Sequence, residues 1–243
     1  MRSPPSAPPS LNLLAFDTST GTLSVALTAP GAPLTHVGAG GAQVSGSLIP
    51  AVLSLLAQAG LRLQDLDAIV FGSGPGSFTG LRTACSVAQG LAFGAGVPVL
   101  PVETLMAVAE EARALTGATQ VLALLDARMD EIYVAQYTHD GRRWHRVDPV
   151  RLAHAEDIVV PPGVLLAGNV FEAYGGRLPA GHPRVDAGPA AVALLRLAPA
   201  LLADGEGVPA DQALPLYVRD KVAQTTAERE ATRAGARQDK MPP

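Results

Sequence analysis

Cysteine, aromatic residues and long apolar runs are scarce in this sequence, and each shortage excludes a class of protein. Cys85 is the one cysteine among 243 residues, so no disulfide can form within the chain and we expect a reducing compartment. No stretch reaches the ~18 apolar residues of a membrane-spanning helix, so we predict a cytoplasmic protein without a membrane partner. Aromatic residues make up 4% and hydrophobic residues 48% of the chain, so alanine, valine and leucine must form the core.

The charge balance is mildly acidic, with 18 basic and 22 acidic residues and a net charge of −4. Surfaces that bind nucleic acid by themselves are usually basic, so a large surface of this kind is not expected here. A role in a complex whose other subunit holds RNA stays open. At the two ends, residues 1–10 are predicted to be a disordered proline-rich extension, and residues 221–243 a mobile polar tail.

The two halves of the chain share one pattern. Each opens with an apolar strand, an aspartate (Asp17 and Asp126), a short turn and an antiparallel strand, and helices and further strands follow. The second half is expected to continue with a strand over 144–150. We predict a two-lobed α/β fold with an internal duplication, comprising an N-terminal lobe over 11–103 and a C-terminal lobe over 104–220. Each lobe is expected to be a mixed sheet covered by helices, which is the plan of the actin, Hsp70 and sugar-kinase (ribonuclease H-like) superfamily.

A glycine-rich segment at 72–82, Gly-Ser-Gly-Pro-Gly-Ser-Phe-Thr-Gly-Leu-Arg, lies between an apolar strand at 68–71 and a helical pattern at 81–95. Its glycines allow positive φ angles and close approach of another group, and N–H groups at the helix start could hold an anion. The alternative is an ordinary tight turn in which Ser77 or Thr79 caps the helix. The segment lacks the Lys-Ser/Thr pair of a P-loop and the spacing of a dinucleotide fingerprint.

Five short motifs together resemble the TsaB family, formerly called YeaZ, over about residues 11–222. In order along the chain they are Leu-Ala-Phe-Asp-Thr-Ser at 14–19, Gly-Pro-Gly-Ser-Phe-Thr-Gly-Leu-Arg at 74–82, Ala-Gln-Gly-Leu-Ala at 88–92, Leu-Asp-Ala-Arg-Met-Asp-Glu-Ile-Tyr at 125–133 and Pro-Leu-Tyr-Val-Arg at 215–219. The glycine-rich motif is shared with the catalytic paralogue TsaD. The motif at 125–133 and the short length favour TsaB.

The resemblance implies a non-catalytic scaffold and activating subunit in tRNA modification. The complex would attach a threonylcarbamoyl group to N6 of the adenosine next to the anticodon. The implied partners are a TsaD-like catalytic subunit and a TsaE-like ATPase, with tRNA reached indirectly through the complex. The protein alone is expected to form a homodimer that exchanges for a heterodimer with TsaD, and no cofactor is expected.

Metal ligands and catalytic residues are not expected in this chain. TsaD-like proteins hold a metal with a His-x-x-x-His pair, whose imidazoles share one helix face. No two of the five histidines have that spacing; they are His36, His139, His145, His154 and His182. The region where such a pair would lie, residues 43–47, has no imidazole, thiolate or carboxylate. The alternative function that stays open is a degenerate nucleotide-binding enzyme of the same superfamily, either a kinase or an M22-type glycoprotease.

The two aspartate turns lack the glycines that let a backbone wrap around phosphates. Thr18, Ser19 and Thr20 follow Asp17, and Ala127-Arg128 follows Asp126, so side chains would crowd a triphosphate. We interpret both aspartates as anchors of hairpin turns, with remnants of a nucleotide site as the alternative. The residues assigned to these vestigial turns are Asp17, Thr18, Ser19, Gly74, Gly76, Ser77, Thr79, Asp126 and Arg128.

The predicted helix at 47–59 is apolar on more than one face, and the predicted helix at 81–95 carries small apolar residues that allow close helix packing. Such helices either are buried within a lobe or also meet a partner, and the resemblance implies that these two are shared by TsaD and by self-association. Cys85 is otherwise a small buried thiol, and Arg82 and Arg128 could bind a carboxylate or phosphate or form internal ion pairs. The residues assigned to the partner interface are Leu48, Ile49, Val52, Leu55, Leu56, Arg82, Cys85 and Gln89.

Overall fold

The computed structural model of the protein describes residues 11–219. The predicted proline-rich extension at 1–10 and the predicted polar tail at 221–243 lie outside the described residues. Within the described part, no helix has the length and apolar character needed to cross a bilayer.

The first sheet has five strands in the order β3-β2-β1-β4-β5. Its strands are β1 (Leu13–Asp17), β2 (Thr22–Leu27), β3 (Leu34–Ala39), β4 (Ala68–Gly74) and β5 (Val99–Glu103). The first three form an antiparallel meander, whereas β4 and β5 continue the sheet parallel to β1. The predicted strand–aspartate–turn–strand unit is therefore the β1–β2 hairpin, and Asp17 is the last residue of β1.

Two long helices cover one face of this sheet: α1 (Val44–Ala59) and α2 (Phe78–Ala95). Each ends at a glycine in the left-handed conformation, Gly60 at φ 66° and Gly96 at φ 72°. Helix α1 begins three residues earlier than the predicted range of 47–59, since the extra turn buries Val44 in the core. The side chains of β1 alternate between this core and the opposite face, as the two-residue period of a strand requires.

The second sheet repeats the topology of the first. Its order is β11-β10-β6-β7-β8, with β9 also paired to β7. Read from the other edge, an antiparallel β8-β7-β6 meander is followed by the parallel strands β10 and β11, which matches β3-β2-β1-β4-β5. The strands are β6 (Gln120–Arg128), β7 (Glu131–His139), β8 (Trp144–Arg146), β9 (Arg151–Ala153), β10 (Leu165–Gly168) and β11 (Arg184–Asp186).

The predicted strand at 144–150 is wrong in its extent. The strand ends at Arg146, one further backbone bond joins Val147 to Gln136 of β7 at 2.8 Å, and strand pairing with β7 resumes at Arg151, as β9. Between them, the side chain of Asp148 accepts a hydrogen bond from the backbone N–H of Gln136 at 2.9 Å. Pro149 has no N–H to donate to a ladder, so a continuous strand is interrupted there.

Helices α3 (Thr104–Thr116) and α5 (Ala191–Ala203) lie between the two sheets and share one apolar core with both. A short helix, α4 (Phe171–Tyr174), packs on the outer face of the second sheet. The layers are therefore helices, sheet, helices, sheet and helix. This arrangement confirms the predicted fold class, with two mixed sheets covered by helices and an internal duplication.

After α5 the chain returns to the first sheet instead of staying on the second. Val208 exchanges two backbone hydrogen bonds with Val99 of β5, at 2.9 and 2.8 Å. Ala213 is fully buried against α2, and the N–H of Leu216 donates to the carbonyl of Ser73 at 2.7 Å. We call residues 208–219 the C-terminal strap. The sequence assigned these residues to the C-terminal lobe, and the lobe boundaries themselves stay a prediction.

Candidate functional site

The aspartate turn of the first half and the glycine-rich turn are in direct contact. The hydroxyl of Thr18 donates to the carbonyl of Gly80 at 2.7 Å, and the N–H of Ser77 donates to the carbonyl of Ser19 at 2.7 Å. The two turns are therefore joined directly, and the N–H of Ser77, a donor that could hold a phosphate, is used by the carbonyl of Ser19. Ser77 is the N-cap of α2, and its hydroxyl accepts from the N–H of Gly80 at 3.1 Å.

Glycine is required at two of these positions because the first turn fills the space in front of them. A Cβ on Gly76 would lie 2.6 Å from the Cβ of Ser19, and a Cβ on Gly80 would lie 1.9 Å from the carbonyl oxygen of Thr18. Close approach is thus the role of these glycines, as the sequence predicted. The approaching group is the protein's own chain.

Asp17 is buried at the centre of this contact. Its Oδ1 accepts from the N–H and the hydroxyl of Ser19, at 2.9 and 2.7 Å. Its Oδ2 has no hydrogen-bond partner among the described residues and faces Gly72, where a Cβ would lie 1.8 Å away. Burial raises the pKa of Asp17 to about 6, although the hydrogen bonds from Ser19 act in the opposite direction. The carboxyl group is therefore enclosed between strands and does not point into an open site.

The second aspartate turn, between β6 and β7, has a different set of contacts. Asp126 Oδ1 accepts from the N–H of Arg128 at 2.8 Å and from the hydroxyl of Tyr174 at 2.9 Å. The guanidinium of Arg128 lies 3.1 Å from Asp126 Oδ2. Asn169, just after β10, accepts from the N–H of Asp126 at 3.0 Å. Asp126 thus anchors its own hairpin, as the sequence interpretation proposed, and Arg128 forms an internal ion pair.

The cleft between the Asp17 turn and the Asp126 turn has a volume of about 150 Å³. Small-molecule sites usually occupy roughly 300–1,000 Å³, so this narrow part by itself is smaller than such a site. On the side of the C-terminal strap it adjoins a space of about 370 Å³. Towards β2 and the start of α5 the cleft widens into an open groove of about 540 Å³. The narrow part is lined mainly by Ser19, Thr20, Gly76, Ser77, Asp126 and Arg128.

The structure brings most of the predicted turn residues around this narrow cleft. Four of the nine lie elsewhere: Asp17 and Thr18 are buried behind the first turn, and Gly74 and Thr79 lie further along the glycine-rich segment. Gly74 is under the strap at φ 124°, where a Cβ would lie 2.5 Å from the carbonyl oxygen of Leu216. Thr79 is exposed in the first turn of α2. The interpretation of this set as a vestigial nucleotide site stays a prediction.

The residues assigned to the partner interface fall into two groups. On α1, Leu48, Val52, Leu55 and Leu56 are buried in the chain's own core. Ile49 is 43% exposed. Leu53, one turn further along the helix, is 55% exposed, and the sequence assignment did not include it.

On α2, all three assigned side chains already have partners within the chain. The side-chain amide of Gln89 and the thiol of Cys85 donate to the carbonyl of Ala213, at 2.9 and 3.3 Å. Arg82 donates to the hydroxyl of Tyr217 at 3.1 Å. Contact of either group with a second protein stays a prediction.

Sequence reasoning missed Asn169 and Arg219. Asn169 occupies the position in the second half that the glycine-rich turn occupies in the first, so the duplication itself was a signal for it. Arg219 donates to the carboxylate of Glu131 and, at 3.4 Å, to the carbonyl of Arg128. No spacing or composition in the sequence indicates that contact. Within residues 11–219, no group of three or more His, Cys, Asp or Glu side chains could hold a metal ion.

The duplicated sheets and the paired aspartate turns define a two-lobed protein of the actin-like, ribonuclease H-related class. The family model described as "TsaD: tRNA N6-adenosine threonylcarbamoyltransferase" matches residues 42–169. The tRNA threonylcarbamoyladenosine biosynthesis protein TsaB of Escherichia coli is 35% identical over 226 residues, covering 88% of this chain and 96% of its own. TsaB of Haemophilus influenzae is 45% identical over 134 residues, which cover 55% of this chain and 56% of that protein.

A solved structure gives the same result. YeaZ from Pseudomonas aeruginosa superimposes with a TM-score of 0.79 at 41% identity, covering 86% of this chain and all of that one. The chain belongs to the TsaB family, the tRNA threonylcarbamoyladenosine biosynthesis proteins. The resemblance recognised in the sequence is confirmed.

Proposed function

We propose that this protein is a non-catalytic activating subunit in the formation of threonylcarbamoyladenosine on tRNA. It binds a TsaD-like catalytic subunit, acts together with a TsaE-like ATPase in the cytoplasm, and meets tRNA through the complex. The observation that carries the proposal is the direct contact between the Asp17 turn and the glycine-rich turn. Ser19 fills the space in front of Gly76, and about 150 Å³ remains between the aspartate turns.

The closed contact argues against chemistry on a nucleotide by this chain alone. Backbone N–H groups at a glycine-rich turn and helix N-terminus can hold phosphates only when they are free. Here the N–H groups of Ser77 and Gly80 are bonded to Ser19 and Ser77. A kinase or glycoprotease activity has no observation in its favour, whereas family membership and the closed turns agree on an accessory role.

We propose that the partner binds the exposed side of α1 and α2. Ile49 and Leu53 are four residues apart and so share one face of α1, and both are exposed. On α2, Phe93 is 85% exposed. Exposed aliphatic and aromatic side chains on neighbouring helices are typical of protein interfaces. The same surface would support the homodimer of the isolated protein and exchange for the heterodimer.

The test is threonylcarbamoyl transfer to unmodified tRNA by the cognate TsaD and TsaE, with and without this chain, and by this chain alone. Transfer that requires both TsaD and this chain supports the proposal. Turnover by this chain alone, or a TsaD activity that does not change when the chain is added, contradicts it.

The interface is tested with Leu53→Glu, which places a charge on the exposed face of α1. The matched control is Leu115→Glu, because Leu115 is 58% exposed on α3, away from both helices. Leu53→Glu should weaken binding to TsaD at least about tenfold by calorimetry, and Leu115→Glu should leave it unchanged. Equal affinity of the two variants would remove α1 from the interface.

A further inference from the structure

The turn between β6 and β7 has an unusual backbone. Arg128, Met129 and Asp130 have φ angles of 62°, 56° and 63°, so three successive residues other than glycine are left-handed. Side chains with a Cβ disfavour this conformation, and it persists only where surrounding contacts hold it. The contacts of this turn with the rest of the chain therefore decide whether it keeps its shape.

Two arginines hold the turn from opposite sides. Arg177 forms two hydrogen bonds with the carboxylate of Asp130. Arg219, at the end of the strap, donates to Glu131 and to the carbonyl of Arg128, and its guanidinium lies 3.3 Å from the sulfur of Met129. Arg177 belongs to the second half of the fold, like the turn itself. Arg219 reaches the turn from the first half.

From Val208 to Tyr217 the strap is fixed to the first half. It is paired with β5 at Val208, accepts two hydrogen bonds from α2 at Ala213, and is bonded to the end of β4 at Leu216. Tyr217 accepts from Arg82, and its ring packs against that of Phe78 at a tilt of 35°, with the centroids 5.6 Å apart. These contacts extend from the edge of the first sheet to the glycine-rich turn.

We propose that the strap is a clamp between the two lobes. Through Arg219 it ties the left-handed turn of the second lobe to the glycine-rich turn of the first across a cavity of about 370 Å³, and it thereby sets the width of the cleft. Releasing Arg219 frees the turn to relax and uncovers the face of α2 that contains Cys85 and Gln89. This proposal does not depend on which partner the protein binds.

The single cysteine is a built-in reporter of the clamp. Cys85 is buried beneath Ala213, so a thiol reagent reaches it only when the strap lifts or the protein unfolds. The experiment measures labelling of Cys85 by 5,5′-dithiobis(2-nitrobenzoate) in the full-length protein, together with hydrogen exchange of a peptide covering 126–134. Urea unfolding of each variant corrects the labelling rate for global opening.

The variants are Arg219→Gln and, as a matched control, Arg62→Gln. Arg62 forms an ion pair with Asp65 at 2.6 Å, remote in the fold from the turn. Arg219→Gln should accelerate both readouts about tenfold, since a charge-assisted contact is lost, whereas the control should change neither. Tyr217→Phe removes only the acceptor for Arg82 and should act in the same direction more weakly. Unchanged rates in Arg219→Gln, or equal acceleration in the control, would overturn the clamp.

Strain in the turn is tested by a double-mutant cycle with Arg128→Gly. Glycine adopts the left-handed conformation freely, and the carbonyl that Arg219 contacts is retained. If the clamp holds a strained turn, Arg219→Gln should accelerate exchange at 126–134 less in the Arg128→Gly background than in the wild type. Additive effects would show that the contact does not restrain the turn.

Discussion

Replacing Asp17 by asparagine should change how the stability of the protein depends on pH. Asp17 is fully buried, and burial raises its pKa from 3.8 to about 6. The folded protein therefore keeps the proton to a higher pH than the unfolded chain does. The stability that protonated Asp17 contributes is present below about pH 4, and it is lost as the pH rises towards 6.

The size of this effect follows from the shift. A rise from 3.8 to about 6 is roughly two pH units, and each unit corresponds to about 1.4 kcal/mol. Ionised Asp17 should thus cost the folded state about 3 kcal/mol at pH 7. Asparagine keeps the Oδ1 acceptor for Ser19 but places an N–H group where Oδ2 had no partner. Leaving that donor unpaired should cost about 1–3 kcal/mol at every pH.

The assay is urea unfolding of the wild type and Asp17→Asn at pH values from 4 to 8. The difference in free energy of unfolding should move by about 3 kcal/mol in favour of the variant between pH 4 and 7, and level off above that. Asp157→Asn, at an exposed aspartate, is the control for changes in net charge. A constant difference between the wild type and Asp17→Asn across this range would refute the assigned environment of Asp17.

Three further outcomes follow from the same structure. Gly80→Ala should lower the free energy of unfolding, measured with urea, by more than about 3 kcal/mol, because its Cβ would collide with the backbone. Gly90 is on the same helix and faces open space, so Gly90→Ala should raise that free energy by up to about 1 kcal/mol. Burial would raise the pKa of Glu110, but hydrogen bonds led by that from Arg113 outweigh it, so the pKa is lowered from 4.5. The stability that Glu110 contributes should be lost as the pH falls below about 4.5, and Glu110→Gln should abolish that part of the acid dependence of unfolding. Calorimetric titration of the isolated protein with ATP should give no binding in the low micromolar range, and a dissociation constant in that range would contradict the closed-cleft argument.

The architecture could be predicted because its signals are local and repeated. Apolar strands, the aspartates that end them, and the glycines that stop helices α1 and α2 all act within a few residues. The repeat of the strand–aspartate–turn–strand unit then indicated two similar sheets. What failed was the extent of elements with mixed signals, such as the strand at 144–150, where one proline divides two short pairings with β7.

The strap could not be predicted, because its contacts join positions far apart in the sequence. Cys85 and Ala213 are 128 residues apart, and Arg82 and Tyr217 are 135 apart. The contacts at Ala213 and Leu216 also use backbone carbonyl and N–H groups, which every residue provides, so no pattern marks them. The left-handed turn was hidden for a related reason. Glycine is the usual sign of positive φ, and residues 128–130 contain none.

A helix that is apolar on more than one face presented a different difficulty. The sequence could not tell which face of α1 is buried, and the fold places Leu48, Val52, Leu55 and Leu56 inward. A partner surface is therefore better sought in what folding leaves exposed than in apolar content. By that criterion Ile49 and Leu53 are the candidates on this helix.

The glycine-rich turn illustrates why a motif does not by itself identify a site. Glycine reports that something approaches the backbone closely, and the sequence does not say what it is. A phosphate is one group that glycines at the start of a helix can admit. Here the approaching group is Ser19 for Gly76, the carbonyl of Thr18 for Gly80 and the carbonyl of Leu216 for Gly74. The same glycines thus serve packing within one chain, and the motif by itself does not identify a ligand site.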